Sequence, residues 1–213
     1  MNRSGMLVVL SSPSGGGKTT LRTRLCELMP SLRYSISLTT RRPRPREVNG
    51  IDYIYVSEAE FLERRERGEF IEWALVHGNY YGTPFPHVKE MLEDGHDVVL
   101  DIDTQGAESI RQKIPQAILI FILPPSLASL ADRLHQREHG EQENMIKERL
   151  SVATKEISHL PSYDYLVVNQ DIELATNILK SILEAEKWST NRFDLEQVMN
   201  SDDFSYLLDE LEK

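Results

Sequence analysis

The chain contains one cysteine among 213 residues, so no internal disulfide can form, as suits a reducing cytoplasm. Cys26 falls within a helical pattern, where a small side chain near the core is its expected role. No apolar run is long enough to span a bilayer, and the opening "MNRSGMLVVLSS" lacks a signal-peptide cleavage region. A soluble, unexported, cytoplasmic protein is therefore expected. Basic residues are in deficit, 24 against 34 acidic ones, and the formal charge of −10 argues against nonspecific nucleic-acid binding. Repeats and low-complexity linkers are also missing. The length allows a substantial core, as one domain or as a core carrying an insertion.

What is present alternates. Apolar runs at 6–10, 97–102, 117–123 and 165–168, with a shorter one at 33–37, read as buried strands. Helical patterns fall near 19–29, 105–113, 127–136, 143–159 and 172–187. This order implies an α/β fold with a parallel five-stranded sheet covered on both faces. The interval 38–94 breaks the rhythm with "IDYIYV", a helical "SEAEFLERRERG" opened by a Ser57/Glu60 capping box, "FIEWALV" and "NYYGT". It reads as an inserted subdomain within a core of 1–37 and 95–188.

Between the first strand and the first helix lies "SSPSGGGKTT". Glycines let a backbone close around an anion without Cβ clashes, and a helix N-terminus offers unpaired N–H groups and the positive end of its dipole. The pattern G-x-x-x-x-G-K-[ST] is met at Gly17, Lys18 and Thr19, with Ser12 where the first glycine is usual. Ser12, Pro13, Ser14, Gly15, Gly16, Gly17, Lys18, Thr19 and Thr20 are thus expected to cradle phosphates, Lys18 reaching the terminal ones and Thr19 ligating Mg²⁺. Asp101 closes an apolar run as a Walker-B acid does and is the second candidate for Mg²⁺; a buried structural hydrogen bond is its alternative. Asp101 and Asp103 lie two apart, on one side of their strand near its C-terminal end, where ligands gather in open α/β sheets. The cluster "RRPRPR" is a candidate second anion clamp, since arginine's planar fork takes two phosphate oxygens at once; solvated surface remains the alternative, especially for Arg42 and Arg46.

The stretches "SISLTTRRPRPREVNGIDYIYV", "FIEWALVHGNYYGT" and "VVLDIDTQGA" resemble guanylate kinase, a P-loop nucleoside monophosphate kinase that makes GDP and ADP from GMP and ATP. The resemblance runs from about residue 6 to 188 and implies ATP, GMP and Mg²⁺ as ligands, with the phosphates cradled by Ser12 to Thr20 being those of ATP. It implies that Arg41, Arg44, Tyr53 and Tyr81 hold the GMP phosphate. It further implies that Glu72 and Asp103 face the guanine edge, with Ser37 and Thr83 near guanine O6. Guanine offers N–H donors at N1 and N2 where adenine offers a lone pair and no amino group, so a carboxylate attracts one base and repels the other. Bland alternatives stand beside these roles: Tyr53 and Tyr81 as strand packing, and Glu72 on a solvent face of a period-two strand. Arg133, Arg137 and Arg149 align with nucleotide and transition-state contacts, Lys18 and Arg41 joining Arg137 and Arg149 as the catalytic set. The lid at about 137–149 departs from the family, because Arg149 lies twelve positions after Arg137 and one residue is inserted. His139 in that lid is expected to be a solvent-exposed loop residue. Asn169 aligns near the adenine of ATP, with capping of the next helix as its alternative.

From Ser189 to Lys213 the chain carries seven acidic and two basic residues, half its formal charge. The apolar spacing there suits one or two amphipathic helices, expected to pack on the core; a partner or homo-oligomer contact is the alternative, and membrane docking is disfavoured. Two rival functions remain at this stage: a kinase of similar fold acting on another small phosphorylated acceptor, and a catalytically silent interaction module.

Overall fold

The computed structural model describes residues 5–45, 47–76, 78–137 and 143–193. Its central sheet is parallel, with strands β1 (Leu7–Ser11), β2 (Arg33–Tyr34), β7 (Val98–Asp101), β8 (Ile118–Leu123) and β9 (Tyr165–Val168) in the order β2-β7-β1-β8-β9. Every residue of β1 is buried, as an interior parallel strand requires, and alternate side chains feed opposite layers. Val8 and Leu10 pack with Leu21 and Leu25 of α1 (Lys18–Leu28) and with Ala175, Leu179 and Leu183 of α7 (Ile172–Glu186). Leu7 and Val9 pack on the other face with Val88 of α3 (Phe85–Glu93) and with Ala107 and Ile110 of α4 (Thr104–Lys113). Helices α5 (Leu127–Arg137) and α6 (Glu143–Ser158) lie between β8 and β9 in the chain. Among the described residues no helix is long and apolar enough to cross a membrane.

A second sheet arises within 38–84, from β3 (Leu38–Thr39), β4 (Ile54–Tyr55), β5 (Phe70–Val76) and β6 (Asn79–Pro84), ordered β4-β3-β6-β5. Its own small core is Leu38, Phe61 and Phe70, with the two phenyl rings stacked at 4.5 Å. Phe61 comes from α2 (Glu58–Glu66), whose first turn is capped by Ser57 accepting from the Glu60 N–H at 3.2 Å. The side chain of Glu60 meets Arg64, one turn on, at 2.7 Å.

Two local features differ from the sequence expectation. The run 33–37 pairs as a strand only at Arg33 and Tyr34, because the chain then crosses to the second sheet, where the carbonyl of Ser37 accepts from the Ile54 N–H. Helix α3 forms in the last part of the 38–94 interval, for which the sequence reading gives no element, and packs on the central sheet. Pro84 and Pro86 at its start look like breakers, yet proline is compatible with a first helical turn, whose N–H groups have no intrahelical partner.

Candidate active site

The C-terminal ends of β1 and β7 open on a cleft of about 520 Å³. One wall is the loop from Ser12 to Thr19. Gly17 caps α1 with φ of 93°, a left-handed conformation that side chains rarely adopt, and a Cβ there would strike the Asn169 amide. Gly16 closes the loop internally, its N–H donating to the Pro13 carbonyl at 2.8 Å while its carbonyl accepts from Asn169 Nδ2 at 2.9 Å. Arg133 Nη1 donates to the same Gly16 carbonyl at 3.4 Å, and Nη2 to the carbonyl of Asn169 at 3.2 Å. Asn169 and Arg133 therefore brace the loop from behind.

At the mouth of the loop, Lys18 Nζ lies 2.9 Å from Asp101 Oδ1 and donates to the Ile102 carbonyl at 2.6 Å. The Thr19 hydroxyl donates to Asp101 Oδ2 at 3.5 Å, and Arg22 Nε stands 3.9 Å from the same oxygen, its guanidinium 3.9 Å above the Tyr34 ring. A hydroxyl and a carboxylate at a strand's end form a hard-oxygen pair of the kind Mg²⁺ uses together with substrate phosphates. Among the described residues no cluster of three or more His, Cys, Asp or Glu could form an all-protein cage.

Opposite the loop, β5 presents Glu72. A bulge between Phe70 and Glu72 resets the register, so Phe70, Ile71 and Glu72 are all buried while Trp73 and Leu75 face solvent. Glu72 is only 3% exposed, which overturns the solvent-face alternative. The Thr83 hydroxyl donates to its Oε1 at 2.6 Å. Burial pushes the carboxyl up to about 7; Asp103 adds to the rise, against the hydrogen bond from Thr83 and the charges of Lys113 and Lys18. Asp103 caps α4 by accepting from the Gly106 N–H at 2.8 Å.

A third group surrounds Arg41. Its Nε donates to the Tyr81 hydroxyl at 3.1 Å, its Nη2 reaches Glu47 at 2.8 Å, and its guanidinium lies 5.4 Å from the Tyr53 ring centroid. Glu47 also accepts from the Arg44 N–H at 2.8 Å and the Tyr55 hydroxyl at 2.7 Å. Burial opposes ionisation of Glu47, but Arg41 and these two donors outweigh it and hold the carboxyl at about 2. The Arg44 side chain is 68% exposed, and burial raises the Tyr53 hydroxyl.

The cleft is lined by Ser12 to Thr19 together with Ser37, Arg41, Arg44, Tyr53, Glu72, Tyr81, Asp101 and Asp103. Thr83 stands behind Glu72, fully buried. Arg133 and Asn169 sit behind the phosphate loop, while Thr20 and half-buried Arg149 belong to α1 and α6. Capping of α7 falls to Asp171, which accepts from the Leu174 N–H at 2.8 Å; Asn169 cannot serve because its amide is turned onto Gly16. The Arg137 side chain, Arg46, His139, much of the stretch read as a lid, and the tail from residue 194 lie outside the described residues.

Several residues at the site escaped the sequence reading. Glu47 ends the arginine run, and a lone acid after four arginines was the available signal. Glu156 of α6 lines the cleft, accepts from the Ser14 N–H at 3.4 Å and has its carboxyl raised by burial. No local pattern marks it, since its partner lies 142 positions away.

The guanylate kinase family model matches residues 4–186. The chain is 46% identical to a guanylate kinase of Desulfitobacterium hafniense over 188 residues, covering 88% of this chain and 94% of that protein. It is 52% identical to one from Maricaulis maris over 186 residues, 87% and 85% of the two chains. The crystal structure of guanylate kinase from Anaplasma phagocytophilum superposes with a TM-score of 0.80 at 35% identity, covering 95% of this chain and 97% of that one.

Proposed function

Because the chain belongs to the guanylate kinase family, we propose that its cleft transfers the γ-phosphoryl group of ATP to the phosphate of GMP, giving ADP and GDP. The carrying observation is that two anion-binding groups of different build line one cleft. One is the loop with Lys18; the other is Arg41 with Tyr81, beside the buried carboxylate of Glu72.

The division of labour follows from chemistry. The acceptor is a phosphate oxygen that is already an anion, so no strong general base is needed and catalysis is alignment plus neutralisation of charge. Loop N–H groups and Lys18 hold the donor phosphates, Arg133 and Asn169 keeping the loop in shape. Thr19 and Asp101 would hold Mg²⁺, which supplies charge neutralisation between the phosphates. Arg41, Arg44, Tyr53 and Tyr81 clamp the GMP phosphate. Glu72 and Asp103 accept from the N1 and N2 hydrogens of guanine, with Ser37 and Thr83 completing the polar wall. Within 38–94 the second sheet forms the acceptor-binding unit, and Arg137 and Arg149 are the remaining candidates for contact with the transferring group.

ADP formation from ATP and Mg²⁺ should be fast with GMP and slow with AMP, CMP or UMP. Lys18→Ala should lower kcat about 10²-fold or more. Equal turnover with several acceptors would move the assignment to another phosphorylated substrate. No turnover with any acceptor, and none lost in Lys18→Ala, would leave an interaction module.

A further inference from the structure

We infer that Gly106 is a positioning residue for base specificity: by lacking a side chain it lets the first turn of α4 seat against the Glu72 carboxylate and fixes where that carboxylate meets the base. The inference rests on the reading of Glu72 as the guanine contact. A Cβ at position 106 would lie 2.7 Å from Glu72 Oε2 and 3.2 Å from its carboxyl carbon. Space, not backbone, demands glycine here. Gly106 is absent from the positive-φ glycines and sits inside α4, where alanine is the better helix former.

The conflict falls on Glu72 because its carboxylate, the far end of a side chain, gives way more readily than the helix backbone. Helix α4 is linked to β5 by Lys113 Nζ on the Ile71 carbonyl at 2.5 Å, and its first turn is fixed by its own cap, the Gly106 N–H donating to Asp103 Oδ1 at 2.8 Å. The other carboxylate oxygen of Glu72 accepts from the Thr83 hydroxyl at 2.6 Å, and the residue is only 3% exposed. Oε2 is thus held beside the first turn of α4. A methyl group at 106 turns the carboxylate away from that position, and misplacing a substrate contact by a fraction of an ångström weakens the contact it was built to make.

The test is Gly106→Ala, with KM and kcat measured for ATP, GMP and AMP and with thermal melting alongside. The expected result is a KM for GMP raised about tenfold or more, the GMP-over-AMP preference in kcat/KM reduced by a similar factor, the KM for ATP changed less than about twofold, and a modest fall in melting temperature from the overpacked contact. A second arm repeats the substitution in a Glu72→Asp background. The shorter acid withdraws from α4, so Gly106→Ala should add less than about twofold there. A KM for GMP unchanged in Gly106→Ala, a parallel rise for ATP and GMP, or an equal penalty in the Glu72→Asp background would overturn the inference. Glu72→Ala separates the two levels: if it leaves the KM for GMP unchanged, the base-contact reading itself fails, whatever Gly106→Ala does.

Discussion

Glu72 is a carboxylate whose charge the fold opposes and whose proposed contact with guanine asks for that charge. Its carboxyl is raised to about 7 chiefly by burial, whereas the unfolded group titrates near 4.5. The protonated form therefore stabilises the fold relative to the ionised one; that contribution is complete below about pH 4.5 and is lost as pH rises through about 7. Glu72→Gln, which can still accept from Thr83, should gain stability over the parent protein on going from pH 5 to pH 8, by on the order of 3 kcal/mol in chemical denaturation. Binding runs the other way. Protonation puts an O–H against the N–H edge of guanine, so the KM for GMP should rise several-fold between pH 8 and pH 6 while that for ATP holds. A KM for GMP that is flat across that range would deny Glu72 this role. Glu47 has the opposite sign: held at about 2, it stabilises the fold above its ordinary value and loses that effect as pH falls toward 2. Glu47→Gln should lower the melting temperature at pH 7 and raise the KM for GMP, because Arg41 loses its anchor. At this scale the sequence is legible where chemistry is packed into a short segment. Lys18 and Thr19 belong to a strand, loop and helix in known order, and Asp101 closes an apolar strand of its own. Glu156 and Gly106 meet partners far away in the chain, Ser14 and Glu72, through contacts that only the folded chain creates.

The phosphate loop shows how elements are made to meet. Its shape depends on a residue at the end of β9: Asn169 donates to Gly16 across 153 positions, and its amide lies where a side chain at Gly17 would have to go. Gly17→Ala combines that clash with a positive φ, and should both destabilise the protein by about 1–3 kcal/mol and cut turnover at least tenfold. Asn169→Ala keeps the backbone but removes the brace; it should raise the KM for ATP and leave that for GMP in place. Equal effects on both substrates would show that the brace supports the whole cleft, not the donor loop. The same elements explain which parts of the fold could be read. Long amphipathic helices and buried strands announce themselves by period, and α1, α4 and α7 lie within a residue of where that period puts them. Helix α3 hides behind two prolines, and the Phe70–Glu72 bulge inverts the expected alternation, sending Trp73 outward and Glu72 in. The end of β2 is set by a competing sheet, a tertiary effect with no local signature.

Across the whole molecule, the two sheets bring chemically distinct halves to one cleft. The central sheet contributes the loop, Lys18 and Asp101 from the C-terminal ends of its strands, while the second sheet contributes Arg41, Glu72 and Tyr81. A protein with a formal charge of −10 must bind two anionic nucleotides, so its cations have to be concentrated where the phosphates go. Lys18, Arg41, Arg44 and Lys155 all line that cleft. Such a division predicts energetic independence between the donor brace and the acceptor reader. Asn169 and Glu72 share no hydrogen-bond partner: one meets Gly16, the other Thr83. Their substitutions should therefore add. In kcat/KM measured with the second substrate saturating, Asn169→Ala should act on the ATP term and Glu72→Gln on the GMP term. In the double variant each of the two terms should therefore match that of the corresponding single variant within about 0.5 kcal/mol. Steady-state kinetics on the four proteins measures this directly. A shortfall or excess well beyond that margin would mean that the halves are coupled, with Lys18 the natural link, since its charge bears on Glu72 and its backbone belongs to the loop.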